Sequence, residues 1–151
     1  MDTTQEKQIE ILSELVSHCN DGHDGYSDLA DKTDREDLQT IFYRLAQQRR
    51  GFAEELNGEI IALGGERVTS GSGEGNLHQL WLNLKAMVTG NDTKALIETA
   101  KTGEEHVYEQ YQKNITNKNI PSFLREKLVK HHSLIKGAHD QLNAFLKELD
   151  S

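Results

Sequence analysis

The chain has 151 residues, of which 35% are hydrophobic and 28% charged, and its formal net charge is −8. Lys and Arg form no continuous stripe, so the electrostatic footprint of a protein that binds nucleic acid or an anionic membrane is missing. With one cysteine it forms no intrachain disulfide, and no apolar run reaches the ~20 residues that span a bilayer. We expect one helical domain over residues 1–151, located in the cytoplasm because the N-terminus does not resemble a secretory signal.

The first predicted helix opens at Thr3, where Glu6 completes a capping box, and ends near Lys32. Because Gly22 and Gly25 interrupt it, we expect a kink or a short break there. Its inward positions recur in steps of three and four: Ile9, Leu12, Val16, Cys19, His23, Tyr26 and Ala30.

The second predicted helix starts at Thr33 or Asp34, with Glu36 as the partner in another capping box, and Gly64-Gly65 ends it. One arginine interrupts its otherwise apolar seam. The inward positions are Leu38, Phe42, Leu45, Arg49, Phe52, Leu56, Ile60 and Leu63.

A connection of about 25 residues follows, and a helical pattern within it predicts a short helix that carries His78 and Trp81.

The third long helix is capped by Asn91 or Asp92 and runs to about residue 117. Its inward positions are Leu96, Thr99 or Ala100, Gly103, Val107, Gln110 or Tyr111, and Asn114. The fourth helix follows Pro121. Its cap is Ser122 and its inward positions are Leu124, Leu128, His131, Ile135, Ala138, Leu142, Phe145 and Leu149.

These steps of three and four are the seam spacing of a four-helix bundle. Short links make helices one and two antiparallel, and likewise helices three and four. The long connection can cross the full length of the bundle between helices two and three. The sequence therefore predicts an all-α fold with the up-down-down-up order of ferritin-like bundles.

That architecture prompts a test for a two-metal centre, in which carboxylates of several helices project inward at one depth. At ~100° per residue no carboxylate is centred on any seam. The carboxylates that point away are Glu10, Glu14, Asp28, Glu105, Glu126 and Glu148, and His18 on the first helix points away with them. We therefore expect no metal cofactor. The alternative is an atypical iron or manganese site built from Glu104, His131, His132 and His139.

Arg49 is the charged residue of the second seam, and a buried guanidinium needs partners because it cannot be neutralised. Depth counting places it near Gly103 and Glu104, so one hypothesis is a structural ion pair with Glu104, with Gly103 leaving room for the arginine. A second hypothesis is that Arg49 extends along the seam edge into water. A third is that it binds an anionic ligand in the core.

Other polar groups on the inner faces are His23, Tyr26 and His131. We expect hydrogen-bonded core side chains rather than ligands, because the two histidines should lie over ~10 Å apart by helical rise. Cys19 lies in an apolar stripe, so we expect a buried thiol rather than a nucleophile.

Two glycine-containing motifs resemble ligand-binding loops but lack the residues that such loops need. "DGHDGY" resembles the start of a calcium loop, but the twelfth position from Asp21 is Lys32 instead of a bidentate acid. "GSGEG" follows no predicted strand and lacks the Lys-Ser/Thr of a phosphate-binding loop, so we interpret it as a linker.

The order of several motifs resembles a bacterial family of uncharacterised ferritin-like bundle proteins. The matching segments are "NDGHDGYSDLAD", "RRGFAEEL", Gly64-Gly65, "LHQLW" and "KTGEEHVYEQY". The spacing from His78 to Trp81 is one residue shorter than in the family's pattern, and no proline follows the glycine pair. The resemblance implies a ferritin-like fold without an established activity, and it supplies no catalytic or metal-binding residues.

We therefore expect a non-catalytic bundle that acts as a structural or interaction module, with a homodimer or protein partner and a role in stress by analogy. The alternative is a metal-binding oxidoreductase with the atypical site named above. A third hypothesis is small-molecule binding beneath the crossover, with Trp81 lining the site. We expect neither nucleic acid nor a membrane as a partner.

Overall fold

A computed structural model describes residues 3–71, 79, 81–82 and 92–150. It contains four long α-helices, close to the predicted bounds: α1 (Thr3–Lys32), α2 (Glu36–Ala62), α3 (Thr93–Ile115) and α4 (Ser122–Asp150). Within these ranges no helix combines the length and apolar character needed to cross a membrane.

Helix α1 is continuous through Gly22 and Gly25, so the expected break is wrong. The start of α2 also differs from the prediction. Its N-cap is Arg35, which makes no side-chain capping bond. The predicted cap of α3 is confirmed, because the Asp92 carboxylate accepts a hydrogen bond from the Ala95 N–H at 3.2 Å.

The predicted end of α2 at the glycine pair is confirmed. Gly64 has a φ of 91°, a left-handed conformation that suits glycine because it has no Cβ. Its N–H donates to the Ile61 carbonyl and the Gly65 N–H donates to the Ile60 carbonyl, at 3.0 and 2.9 Å. This bonding pattern closes the helix because it satisfies two of its last carbonyl groups.

Contacts between side chains show the relative directions of the helices. Helices α1 and α3 are antiparallel, because Tyr26 contacts Glu104 while the earlier Cys19 contacts the later Tyr111. Helix α4 runs antiparallel to α3 and to α2, as four further contacts show: Lys94–Asp150, Lys101–Asn143, Arg44–Gln141 and Lys127–Glu59. The order is up-down-down-up, as predicted.

The crossover lies between α2 and α3. Of its predicted short helix, the structure describes Gln79, Trp81 and Leu82, which are helical. His78 and the rest of that segment lie outside the described residues.

The core consists of two apolar halves, with charged side chains between them. One half includes Leu29, Leu38, Phe42, Leu96 and Leu142. The other includes Leu12, Val16, Leu56, Ile60, Leu124 and Leu128. Arg49 and Glu104 follow residues of the first half and precede residues of the second, so the polar centre lies at the waist of the bundle.

Candidate functional site

The waist of the bundle holds a buried ion pair. The Arg49 side chain on α2 is 2% exposed and that of Glu104 on α3 is 0% exposed. Arg49 Nη2 lies 2.7 Å from Glu104 Oε2 and 2.6 Å from Oε1, and the Tyr26 hydroxyl on α1 donates to Oε1. The predicted Arg49–Glu104 pair is therefore confirmed, and the hypothesis of an arginine that reaches water is wrong.

Glycines make room for this cluster. A Cβ at Gly22 would lie 3.3 Å from Arg49 Cγ, whereas a Cβ at Gly25 or Gly103 would lie 2.5 Å from the indole of Trp81. The prediction that Gly103 leaves room for the arginine is therefore wrong. Gly103 and Gly25 form a slot for Trp81, and the space for Arg49 is beside Gly22.

Aromatic rings and charge hold the guanidinium in place. Its central carbon lies 5.6 Å from the ring centre of Tyr26 and 5.8 Å from that of Phe52, within cation–π range. Burial is the largest single effect and lowers the pKa of Arg49, but the charge of Glu104, its hydrogen bond and the neighbouring Tyr26 together keep the pKa above its ordinary value. Burial and the same carboxylate raise the pKa of Tyr26 well above 10, so this hydroxyl remains a donor.

A second polar cluster joins one side chain from each helix, and we call it the tyrosine relay: Cys19, Tyr111, His131 and Glu55. Cys19 Sγ lies 3.5 Å from the Tyr111 hydroxyl oxygen, which lies 2.9 Å from His131 Nδ1. His131 Nε2 lies 2.7 Å from Glu55 Oε2. Phe52 stacks on the imidazole, with ring centres 4.0 Å apart, and fixes its orientation. The Glu55 side chain is 47% exposed, so the relay connects the core to the surface.

The chemistry of the groups sets the direction of these hydrogen bonds. An ionised carboxylate only accepts, so His131 Nε2 carries the proton that it shares with Glu55. The neutral ring then accepts at Nδ1, and Tyr111 donates to it. The Cys19 thiol consequently donates to the phenolic oxygen. Every proton of the relay points toward the surface carboxylate.

The pKa shifts agree with this arrangement. The hydrogen bond with His131 lowers the pKa of Glu55, which favours the carboxylate. Burial, the largest effect, and the charges of Lys127 and Lys130 together lower the pKa of His131 more than Glu55 raises it, which favours the neutral ring. Burial raises the pKa of Cys19 to about 11 and that of Tyr111 well above 10, so both keep their protons at neutral pH.

We expect the buried histidines to destabilise the fold on acidification. Burial lowers the pKa values of His18 and His131 below the ordinary value of 6.5, so the unfolded chain takes up protons that the folded chain refuses. The free energy of unfolding should therefore fall below pH 6.5, by at most about 1.4 kcal/mol per pH unit for each histidine. Urea titrations between pH 8 and pH 5 measure this slope. His131→Gln should make this slope shallower, because it removes one of the two buried imidazoles.

The contacts among Tyr111, His131 and Glu55 were not predicted. A signal for the first pair is present in the sequence, because helices three and four are predicted to be antiparallel and His131 and either Gln110 or Tyr111 occupy predicted inward positions. Glu55 gave no such signal, because it lies outside the α2 seam and reaches the imidazole from the bundle surface.

Two histidines on α1 differ from expectation. His23 lies at the edge of the core: its side chain is 18% exposed, with Nδ1 3.0 Å from Asp24 Oδ1 and Nε2 3.2 Å from Arg50 Nη2. His18, expected to point away from the core, is 6% exposed and packs edge-on to His106. The buried residues of α1 include Leu15, Gly22 and Leu29, so the inward face is rotated from the predicted seam toward them. This rotation buries His18 and leaves His23 at the edge of the core.

The alternative metal ligands are not brought together. Glu104 is held by Arg49, His131 belongs to the relay, and His139 Nε2 lies 3.5 Å from Glu105 Oε1. His132 stacks on Tyr108. Among the residues that the structure describes, no three His, Cys, Asp or Glu side chains are grouped to hold a metal ion.

The waist does not fit a two-metal centre either. Such a centre needs carboxylates of several helices around two cations. Here a guanidinium holds the central position, where it would repel a metal ion, and both oxygens of Glu104 are already engaged. Trp81 is 4% exposed, and its indole fills the space between Gly25 of α1 and Gly103 of α3.

Comparisons with known proteins agree with the architecture. The model of a family described as "Domain of unknown function (DUF2383)" matches residues 7–117. A mutant of Dps1 from Mycobacterium smegmatis has a similar structure, with a TM-score of 0.78, 15% identity, and coverage of 97% of this chain and 99% of that one.

A structure from Bacillus anthracis str. Ames, described as "ferritin like, diiron-carboxylate proteins", has a TM-score of 0.70, 19% identity and the same coverage of both chains. No curated protein matches. At these identities the structural likeness shows the fold alone. The chain belongs to the DUF2383 family, a domain of unknown function, and has a ferritin-like four-helix fold.

Proposed function

We propose that this chain is a non-catalytic ferritin-like bundle that serves as a structural or interaction module in the bacterial cytoplasm, with residues 1–151 as one domain. The observation that carries this proposal is the buried Arg49–Glu104 pair with the Tyr26 hydroxyl bonded to the same carboxylate. The Arg49 guanidinium supplies the positive charge that a metal centre would bring, so the four helices can pack around Glu104 without a metal ion.

The surface of α4 supports an interaction role. Phe123 is 60% exposed and Leu134 is 43% exposed. They are eleven residues apart, which at ~100° per residue places both on one face of the helix. A partner that covered this face would remove both apolar side chains from water. We propose a homodimer or a protein partner as the assembly, and a role in stress by analogy with ferritin-like proteins alone.

The test is the metal content of protein purified without an affinity tag, measured by mass spectrometry before and after aerobic loading with Fe(II). We expect neither iron nor manganese in stoichiometric amount in either sample. One or two metal ions per chain, removed by a chelator and lost in a Glu104→Gln or His131→Gln variant, would overturn the proposal and establish a metal-binding oxidoreductase.

Sedimentation equilibrium of the same samples, with Phe123→Ser as the variant and Phe145→Ser as a partly buried control, tests the dimer.

A further inference from the structure

The tyrosine relay has the parts of a site for one-electron oxidation. We propose that Tyr111 is a redox-active tyrosine that gives one electron to an oxygen-centred radical of the peroxyl class, while its phenolic proton moves to Nδ1 of His131. The O–H bond breaks and an N–H bond forms. Tyr111 becomes a neutral phenoxyl radical and His131 a cation. The peroxyl radical is reduced to a peroxide anion, which takes a proton from water.

The geometry assigns this role to Tyr111 because its proton already points at an acceptor. The hydroxyl oxygen lies 2.9 Å from Nδ1, and Nε2 of the same ring lies 2.7 Å from the Glu55 carboxylate. The proton therefore moves by less than the length of one hydrogen bond. The transferred proton makes the His131 ring positive, and this charge faces the negative carboxylate of Glu55.

Burial makes the proton acceptor necessary. An electron can tunnel out of a buried ring, whereas the proton can leave only along a hydrogen bond. The raised pKa of Tyr111 means that no phenolate is present beforehand, and the lowered pKa of His131 leaves the ring free to accept. The charged groups that act on His131 are Glu55 from α2 and Lys127 and Lys130 from its own helix. Of these, the carboxylate alone favours the cation.

The other three tyrosines lack this arrangement. Tyr26 donates to Glu104, a carboxylate already paired with Arg49. Tyr43 is 43% exposed and donates to Asp31. The ring of Tyr108 stacks on the face of His132. All four tyrosines are described, and among them Tyr111 is the one whose hydroxyl bonds to an imidazole nitrogen.

The test is oxidation of the chelator-treated full chain by azidyl radicals from pulse radiolysis, a neutral one-electron oxidant. We expect a phenoxyl radical whose electron paramagnetic resonance spectrum changes in D₂O, because the proton on Nδ1 is exchangeable. Tyr111→Phe should remove most of this signal. Tyr108→Phe, which deletes the same atom three residues away on the same helix, should keep it.

His131→Gln separates a redox role from a structural one. Loss of a positioned base typically slows proton transfer by 10²- to 10⁴-fold, so oxidation of Tyr111 should slow by about 100-fold in this variant. Glu55→Gln should slow it less, because the imidazole remains. The proposal is wrong if the signal persists in Tyr111→Phe, or if His131→Gln forms the radical at an unchanged rate with an unchanged D₂O response. The wild-type and His131→Gln spectra decide the question even if Tyr111→Phe fails to fold.

Discussion

Arg49→Met should destabilise the bundle by about 3–5 kcal/mol, the usual effect of removing one partner from a buried ion pair. Methionine has a similar volume and is apolar, so the packing at the waist changes little. The loss arises because Glu104, with 0% of its side chain exposed, keeps its charge without its cation. Urea unfolding at pH 7.5 measures the effect.

A double variant that removes both charges shows whether Arg49→Met acts through the unpaired charge of Glu104 or through lost packing. Arg49→Met/Glu104→Gln removes both charges and keeps an oxygen for the Tyr26 hydroxyl, so the double variant should be more stable than Arg49→Met alone. Arg67→Met is the surface control, since its pair with Glu54 is about half exposed and should matter little. If Arg49→Met behaved like this control, the ion pair would not stabilise the fold.

The four helices and their order could be predicted because the seam spacing and the link lengths leave few alternatives. Gly64-Gly65 and Asp92 marked helix ends correctly, since capping depends on local chemistry. The depth of the Arg49–Glu104 pair could also be predicted, because both residues lie near the middle of their helices, where counting from either end gives the same level.

On α1 the apolar pattern predicts the wrong rotation of the helix. The inward face is turned toward Leu15, Gly22 and Leu29, so His18 is buried and His23 lies at the edge of the core. Glu55 reaches the relay from outside the α2 seam. The sequence pattern of one helix contains neither the distance to its neighbour nor the side chain that spans that distance.

Trp81→Ala should destabilise the bundle by about 3–5 kcal/mol, the usual range for truncating a buried aromatic side chain. The indole is 4% exposed and packs edge-on against the Tyr26 ring at 5.6 Å between centres. It fills the slot between α1 and α3, so its removal leaves a cavity at the contact between the two helix pairs. Thermal and urea unfolding measure the loss. Leu82→Ala, at a neighbouring position that is 44% exposed, is the matched control and should have a small effect.

Whether Trp81 occupies this slot can be tested with Gly103→Ala, which should change the free energy of unfolding in opposite directions with and without the indole. In the unsubstituted chain Gly103→Ala should cost about 1–3 kcal/mol, because the new Cβ would lie 2.5 Å from a rigid ring. In the Trp81→Ala background the ring is gone, and the same substitution should stabilise α3 by roughly 0.5–1 kcal/mol through helix propensity. Gly58→Ala, whose Cβ would meet nothing within 4 Å, should stabilise both backgrounds alike. A Gly103→Ala effect of the same sign in both backgrounds would mean that Trp81 does not occupy the slot in solution.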